Sequence, residues 1–153
     1  METRQIVIFK LGEEEYGIDI MKVVEIVLYQ EVRKVPDVPS YIEGIINLRG
    51  DVHPIYNFRK RFRMPERAID DNTKIIVIRT TEMNVGFIVD NVSEILNIPS
   101  EDIQSAPKLI NQRAEGKYIL GVAKQEERMI VLLDIDQLVT DHDYNIMNEI
   151  IEE

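Results

Sequence analysis

The sequence predicts a mainly β protein made of two small, similar barrels. Three observations carry this: its apolar runs are short, they pair into hairpins, and the pattern recurs about seventy residues downstream.

The runs Ile6 to Phe9, Ile75 to Ile78 and Met129 to Leu133 are rich in Ile, Val and Leu. Polar or glycine-containing segments bound each of them, which suits buried strands better than helices. Tyr16 to Ile20 and Val85 to Val89 follow acidic or polar turns, so residues 6–20 and 75–89 each read as a hairpin.

Sliding the chain by 69 positions places Ile6 on Ile75, Phe9 on Ile78, Gly17 on Gly86, Val23 on Val92, Glu25 on Glu94 and Ile26 on Ile95 without a gap. Sliding it by 77 places Tyr41, Ile42, Gly44 and Ile45 on Tyr118, Ile119, Gly121 and Val122, and Ile55 and Asn57 on Leu132 and Asp134. Any two Ile/Val-rich strands align by chance, but glycines, tyrosines and glutamates recurring in order do not, and a duplication is the better reading. Each copy holds about five strand-length segments, too few for a sandwich but enough to close a small barrel and remove its sheet edges. The predicted subdomains are approximately 5–68 and 73–140, with exchange of strands between them left open, and 141–153 is a helix or tail. There Ile146, Met147, Ile150 and Ile151 recur at helical spacing among polar residues, as in a short amphipathic helix.

Composition narrows the function. A formal charge of −10 repels phosphate backbones and anionic lipid, which argues against nucleic acid as a partner. No cysteine is present, removing disulfides, thiolate catalysis and cysteine-bound zinc, and no apolar run approaches bilayer length. The expectation is a cytosolic protein with no direct membrane insertion. His53 and His142 lie far apart and neither opens a metal-binding spacing; His53 reads as a strand residue. Phosphate-loop, nucleophile-elbow and EF-hand signatures are all missing, so no cofactor, metal or catalytic residue is expected. Asp70-Asp71 and Asp134-x-Asp136 are assigned to turns and caps rather than to acid–base work. One cluster opposes the global charge: Arg59, Lys60, Arg61, Arg63 and Arg67. It is read first as a solvated face, second as a site for an acidic protein, and only third as a nucleic-acid contact, since no aromatic platform interleaves with it.

Residues Val35 to Phe62, VPDVPSYIEGIINLRGDVHPIYNFRKRF, resemble the signature of the CheW family, a P-x-x-P-x-Y/F-I-x-G-x-x-N-L-R-G stretch leading into a proline-containing strand. The resemblance continues at EEYGIDIMKVVEI, VGFIVDNVSEIL and MIVLLDIDQLV, and so covers nearly the whole chain. It implies two SH3-like five-stranded barrels and a non-enzymatic adaptor. The implied partners are a methyl-accepting chemoreceptor's cytoplasmic tip and the regulatory domain of a CheA-type histidine kinase, in arrays beside the membrane. Carried over residue by residue, the receptor-binding positions fall on Val23, Glu25, Gly44 and Arg49, with Val92 and Ile95 in the second copy. No kinase-contact residue is marked.

Each position also has an ordinary structural reading. Val23, Val92 and Ile95 are either core or contacts, and Gly44 serves backbone conformation or close approach. Arg49 carries a planar fork suited to a carboxylate, and its predicted partner is Glu25 of the same chain. His53 and the Tyr56-Asn57-Phe58 run depart from the family's usual aliphatic pattern and weaken detailed transfer near that strand. Two rivals stand beside the adaptor. One is a module of a CheV-type protein; the other is a small ligand-binding or carboxylate-using hydrolytic β protein, which requires a cleft of ionisable groups with shifted pKa values.

Overall fold

A computed structural model describes residues 2–105 and 118–151. The hairpins expected from the sequence are present. Strand β1 (Thr3–Leu11) pairs antiparallel with β2 (Glu14–Asp19), and β6 (Lys74–Arg79) with β7 (Asn84–Val89). The remaining strands are β3 (Val23–Leu28), β4 (Ile42–Leu48), β5 (Asp51–Asn57), β8 (Asn91–Pro99), β9 (Ile103–Ser105), β10 (Ile119–Gln125) and β11 (Arg128–Leu133). Among the described residues the α-helices are one-turn α1 (Phe58–Arg61) and α2 (Ile135–Leu138), then α3 (Asp141–Ile151). The expected terminal helix is thus α3, whose buried face is Tyr144, Met147 and Ile150.

Two sheets pack together, and each draws strands from both sequence copies. One runs β3-β6-β7-β5-β4; the other runs β8-β1-β2-β11-β10-β9. The hairpin of each copy therefore lies in the sheet that holds the other copy's later strands, joined there by parallel pairing of β2 with β11 and of β5 with β7. The second sheet has a sixth strand because the three residues of β9 pair with β10, where the first sheet has only the isolated bridge Arg33 to Ile45.

The duplication extends to backbone detail. One bulge sits where Val23 and Glu25 face Ile78 and Val77, and its counterpart where Val92 and Glu94 face Phe9 and Ile8. Such bulges bend a strand sharply enough to curl a short sheet. A Cβ on Gly17 would lie 2.5 Å from Ile6 and 2.9 Å from Leu132; one on Gly86 would lie 2.9 Å from Ile75 and 2.7 Å from Ile55. These four isoleucine and leucine neighbours are themselves repeat equivalents, so the same crossing of strands is packed twice. Asn57 and Asp134, aligned by the repeat, each cap the one-turn helix that follows. Asp70 accepts from the Asn72 amide in a tight turn, the role expected for it.

Three apolar clusters result. Ile6, Ile8, Ile98, Ala123, Ile130 and Leu132 fill one barrel; Ile46, Leu48, Ile55, Ile75 and Val77 fill the other. The third and largest lies between the sheets and takes residues from both, including Phe9, Tyr56, Phe58, Phe87, Leu133 and the buried face of α3. Its aromatic rings form a stack: Phe9 is 5.4 Å from Phe58, Phe58 is 5.6 Å from Phe62, and Phe62 is 5.3 Å from Tyr118.

The basic cluster is solvated only in part: Arg63 is exposed, but Arg59, Lys60 and Arg67 are held by carboxylates. The Arg59 side chain is only 14% exposed and donates to both carboxylate oxygens of Asp90, at 2.9 and 2.5 Å. Arg67 donates to the same carboxylate at 3.0 Å, and Lys60 pairs with Glu43 at 2.8 Å. Asp90 and Glu43 lie far away in the chain, beyond a local reading of charge. Asp90 also accepts the Gly12 amide at 2.6 Å. It stands where the chain passes from β7 to β8, and so ties the turn of one sheet to the helix that ends a strand of the other.

Burial pushes the Asp90 carboxyl up, but the bonds from Arg59, Gly12 and Arg67 outweigh it and hold the group below its ordinary value of 3.8. Its contribution to stability is therefore complete above that value and disappears as pH falls through the lower native one. Asp90→Asn should cost about 3 kcal/mol at pH 7, the usual penalty for stranding a buried partner. In urea unfolding the gap between wild type and variant should narrow as pH falls below 3.8 and close through the lower native value. A gap that stayed constant would mean that the charge of Asp90 does not hold the junction.

Candidate functional site

The receptor-coupling positions implied by the sequence fall into two groups around the chain's crossings between sheets. Val23 opens β3 just after the turn of residues 20–22 leaves β2, and Val92 lies one residue into β8 after Asp90. Both are half-buried, and both pack on the rim of the cluster between the sheets. Val23 pairs with Ile78 and Val92 with Phe9, which the repeat also aligns. The structure thus brings these two valines to equivalent places along one seam. Ile95, farther along β8, is 53% exposed and is surface rather than core.

Glu25 lies beyond the β3 bulge, opposite Val77. Arg49 occupies the two-residue turn between β4 and β5, where it has φ 52° and Gly50 has φ 91°. Positive φ at both positions gives a turn whose twist matches the flanking strands. From there the guanidinium reaches Glu25 and forms the predicted ion pair. The side chain of Arg49 is 72% exposed while that of Glu25 is 25% exposed, so the arginine covers the acid and presents its own outer edge to solvent.

Gly44 has a different part. It is buried in β4, and a Cβ there would sit 2.0 Å from the carbonyl oxygen of Arg33. That carbonyl accepts the Ile45 amide, while the Arg33 amide donates to the Ile45 carbonyl, both at 2.9 Å. Gly44 permits the backbone approach that closes the first barrel. Its equivalent, Gly121, meets the Gln104 carbonyl in the same way. Gly44 therefore acts on the surface through the shape of β4 and not through a contact of its own.

Sequence reasoning missed two features of this surface. Val24, Ile26 and the 67%-exposed Leu28 give β3 an outward apolar face, continued by the 80%-exposed Met21 in the turn before it, while Glu25 lies on the strand's other face. The second is an ion pair in the other copy. Glu94, aligned with Glu25, accepts from Arg128 at 3.0 Å, and Arg128 also forks onto Glu15 at 3.0 and 2.6 Å. The residue aligned with Arg49 is Glu126, which keeps the turn's positive φ of 57°; the arginine has moved two positions along. A search near the turn for any cation opposing Glu94 would have found it. The hydrogen bonds from Arg128 hold the Glu15 carboxyl below its usual range despite partial burial.

Such a surface can bury apolar side chains of a protein partner and orient them by charge. The family model described as CheW-like domain matches residues 5–143. The chain belongs to the CheW family. Chemotaxis protein CheW of Treponema pallidum is 39% identical over 90% of this chain and 82% of its own length; that of Klebsiella aerogenes is 37% identical over 96% and 88%. The crystal structure of the scaffolding protein TtCheW from Thermoanaerobacter tengcongensis superposes with a TM-score of 0.82 at 32% identity, covering 94% of this chain and 92% of the other. As a CheW-family protein, this chain keeps the two packed β units of a solved scaffold.

Gly44→Ala should lower stability by more than about 2 kcal/mol, because the added carbon meets backbone and the residue's φ of 147° disfavours a side chain. Hydrogen exchange should locate the loss at the Arg33 and Ile45 amides. Unchanged protection there would show that the close approach does not close the barrel.

Proposed function

We propose that this chain is a chemotaxis adaptor that couples the cytoplasmic tip of a chemoreceptor to the regulatory domain of a CheA-type histidine kinase, working by binding and not by catalysis. Membership of the CheW family across residues 5–143 supports the adaptor reading. The observation that carries the receptor assignment is the seam itself. Val23 and Val92 sit at matching crossings, flanked by the apolar face of β3 and the exposed Ile95, with Arg49 held over Glu25 at one side. Apolar positions on one element of a receptor tip would settle along that seam, and Arg49 would meet a carboxylate at its edge. No described helix is long and apolar enough to cross a membrane. On this reading the protein sits in the cytoplasm and reaches the membrane-associated array through its partners.

Calorimetry of the full chain with a soluble receptor-tip fragment, and separately with the kinase regulatory domain, tests the proposal. Both should bind. Arg49→Glu should weaken the receptor interaction by about tenfold or more, since it places a second carboxylate beside Glu25 at the contact, and should leave kinase binding within about twofold. The double change Glu25→Arg with Arg49→Glu should recover receptor binding above either single change if the internal pair shapes the surface. Binding to neither partner by the folded chain would overturn the adaptor reading. Equal loss to both partners would overturn only the placement of the receptor site.

A further inference from the structure

We propose that the cleft where the segment before β4, the residues after α1 and the start of α3 meet is a binding site for a phosphate-class oxyanion. A cavity of about 360 Å³ opens there, lined by Ser40, Tyr41, Lys60, Arg61, Arg63 and Thr140, with Asp143 at its side. Two cations without a carboxylate partner, Arg61 and Arg63, thus converge on one cleft of a chain whose net charge is −10.

Lys60 is already paired with Glu43 at 2.8 Å, whereas Asp143, the carboxylate lining the cleft, makes no ion pair with Arg61 or Arg63. Asp143 accepts the Tyr41 hydroxyl at 2.6 Å with one oxygen and the Thr140 amide at 3.1 Å with the other. Its commitment is to the start of α3 and to Tyr41, whose phenol is pushed up to about 12 by burial and by that bond. Arg63 is exposed and has no carboxylate partner among the described residues. The Arg61 guanidinium lies 5.9 Å from the ring centre of Tyr41 and 5.7 Å from that of Tyr118. Contacts of this kind hold a guanidinium in place without using its N–H donors.

Donors outnumber acceptors in the cleft. Thr140 accepts the Asp143 amide on its hydroxyl oxygen at 3.1 Å, which leaves the hydroxyl hydrogen to donate outward. The two guanidinium forks and the Thr140 hydroxyl match an anion with several acceptor oxygens around one centre; an apolar or cationic ligand would leave these donors unpaired. The cleft lies on α1 and α3, away from β3 and β8, so it is separate from the seam proposed for the receptor.

The test is an amide-resolved NMR titration of the full chain with inorganic phosphate and, separately, O-phosphoserine, at ionic strength held constant with sodium chloride. Saturable shifts should appear at Ser40, Tyr41, Arg61, Arg63 and Thr140 and not along β3. Arg63→Glu removes an exposed, unpaired cation and should weaken binding about tenfold or more, the equivalent of one charge-assisted hydrogen bond. Arg61→Gln, with its unliganded melting temperature recorded as the check on folding, should do the same. Equal affinity for the two probes would identify the free ion as the ligand, whereas a clear preference for the monoester would identify a phosphorylated group. Shifts that do not saturate, or that survive unchanged in both variants, would overturn the site.

Discussion

Because β1 and β2 complete the sheet that holds β8 to β11, while β6 and β7 complete the sheet that holds β3 to β5, the residues of one sequence copy cannot finish either sheet. Each hairpin must cross to the other unit, and the crossings converge on one apolar seam. Phe9, Tyr56, Phe58 and Phe87 are fully buried there. At about 2–3 kcal/mol each, their burial contributes on the order of 10 kcal/mol gross, as large as the whole net stability of a typical domain. Separating the two barrels would forfeit that contribution, so exchange of strands makes one cooperative body out of two units each too small to bury a generous core.

An apolar seam is non-directional, and several relative placements of two sheets could bury the same rings. Direction comes from polar groups at the crossings. Asp90 binds the Gly12 amide on one sheet and Arg59 on the other, and a second buried carboxylate, Asp143, fixes α3 against Tyr41. A buried charge with its partners in place tolerates little displacement, because any shift leaves it desolvated and unpaired. The polar clamps select one orientation from those that the rings allow.

The sequence was legible wherever a residue's role is local or repeated. Gly17 and Gly86 were aligned before their packing was known, and each proved to lie where two strands cross too closely for a Cβ. Arg49 was legible because the turn around it dictates both its exposure and its reach toward Glu25. What stayed hidden depends on pairing between distant segments. Periodicity shows that Ile6 and Ile75 face a core but not whose core, since the two hairpins are interchangeable in pattern. Arg59 reads as solvated because its acid lies 31 positions away. The four-residue helices α1 and α2 are too short for any period to show, although the caps Asn57 and Asp134 were in view.

The same crossings that hold the barrels together also place the proposed receptor surface, and this has a mechanical consequence. Val92 lies two residues from Asp90, and Val23 stands at the other crossing, so the spacing of the two valines is set by the mutual orientation of the sheets. A partner seated along the seam touches both units at once. Its affinity then depends on their angle, and by reciprocity its binding favours one angle. The bonds to Asp90 restrict that angle before any partner arrives and so reduce the ordering cost of association. On the proposed adaptor reading, such preorganisation would let contact on one face bear on contact at another through the junction that defines the fold.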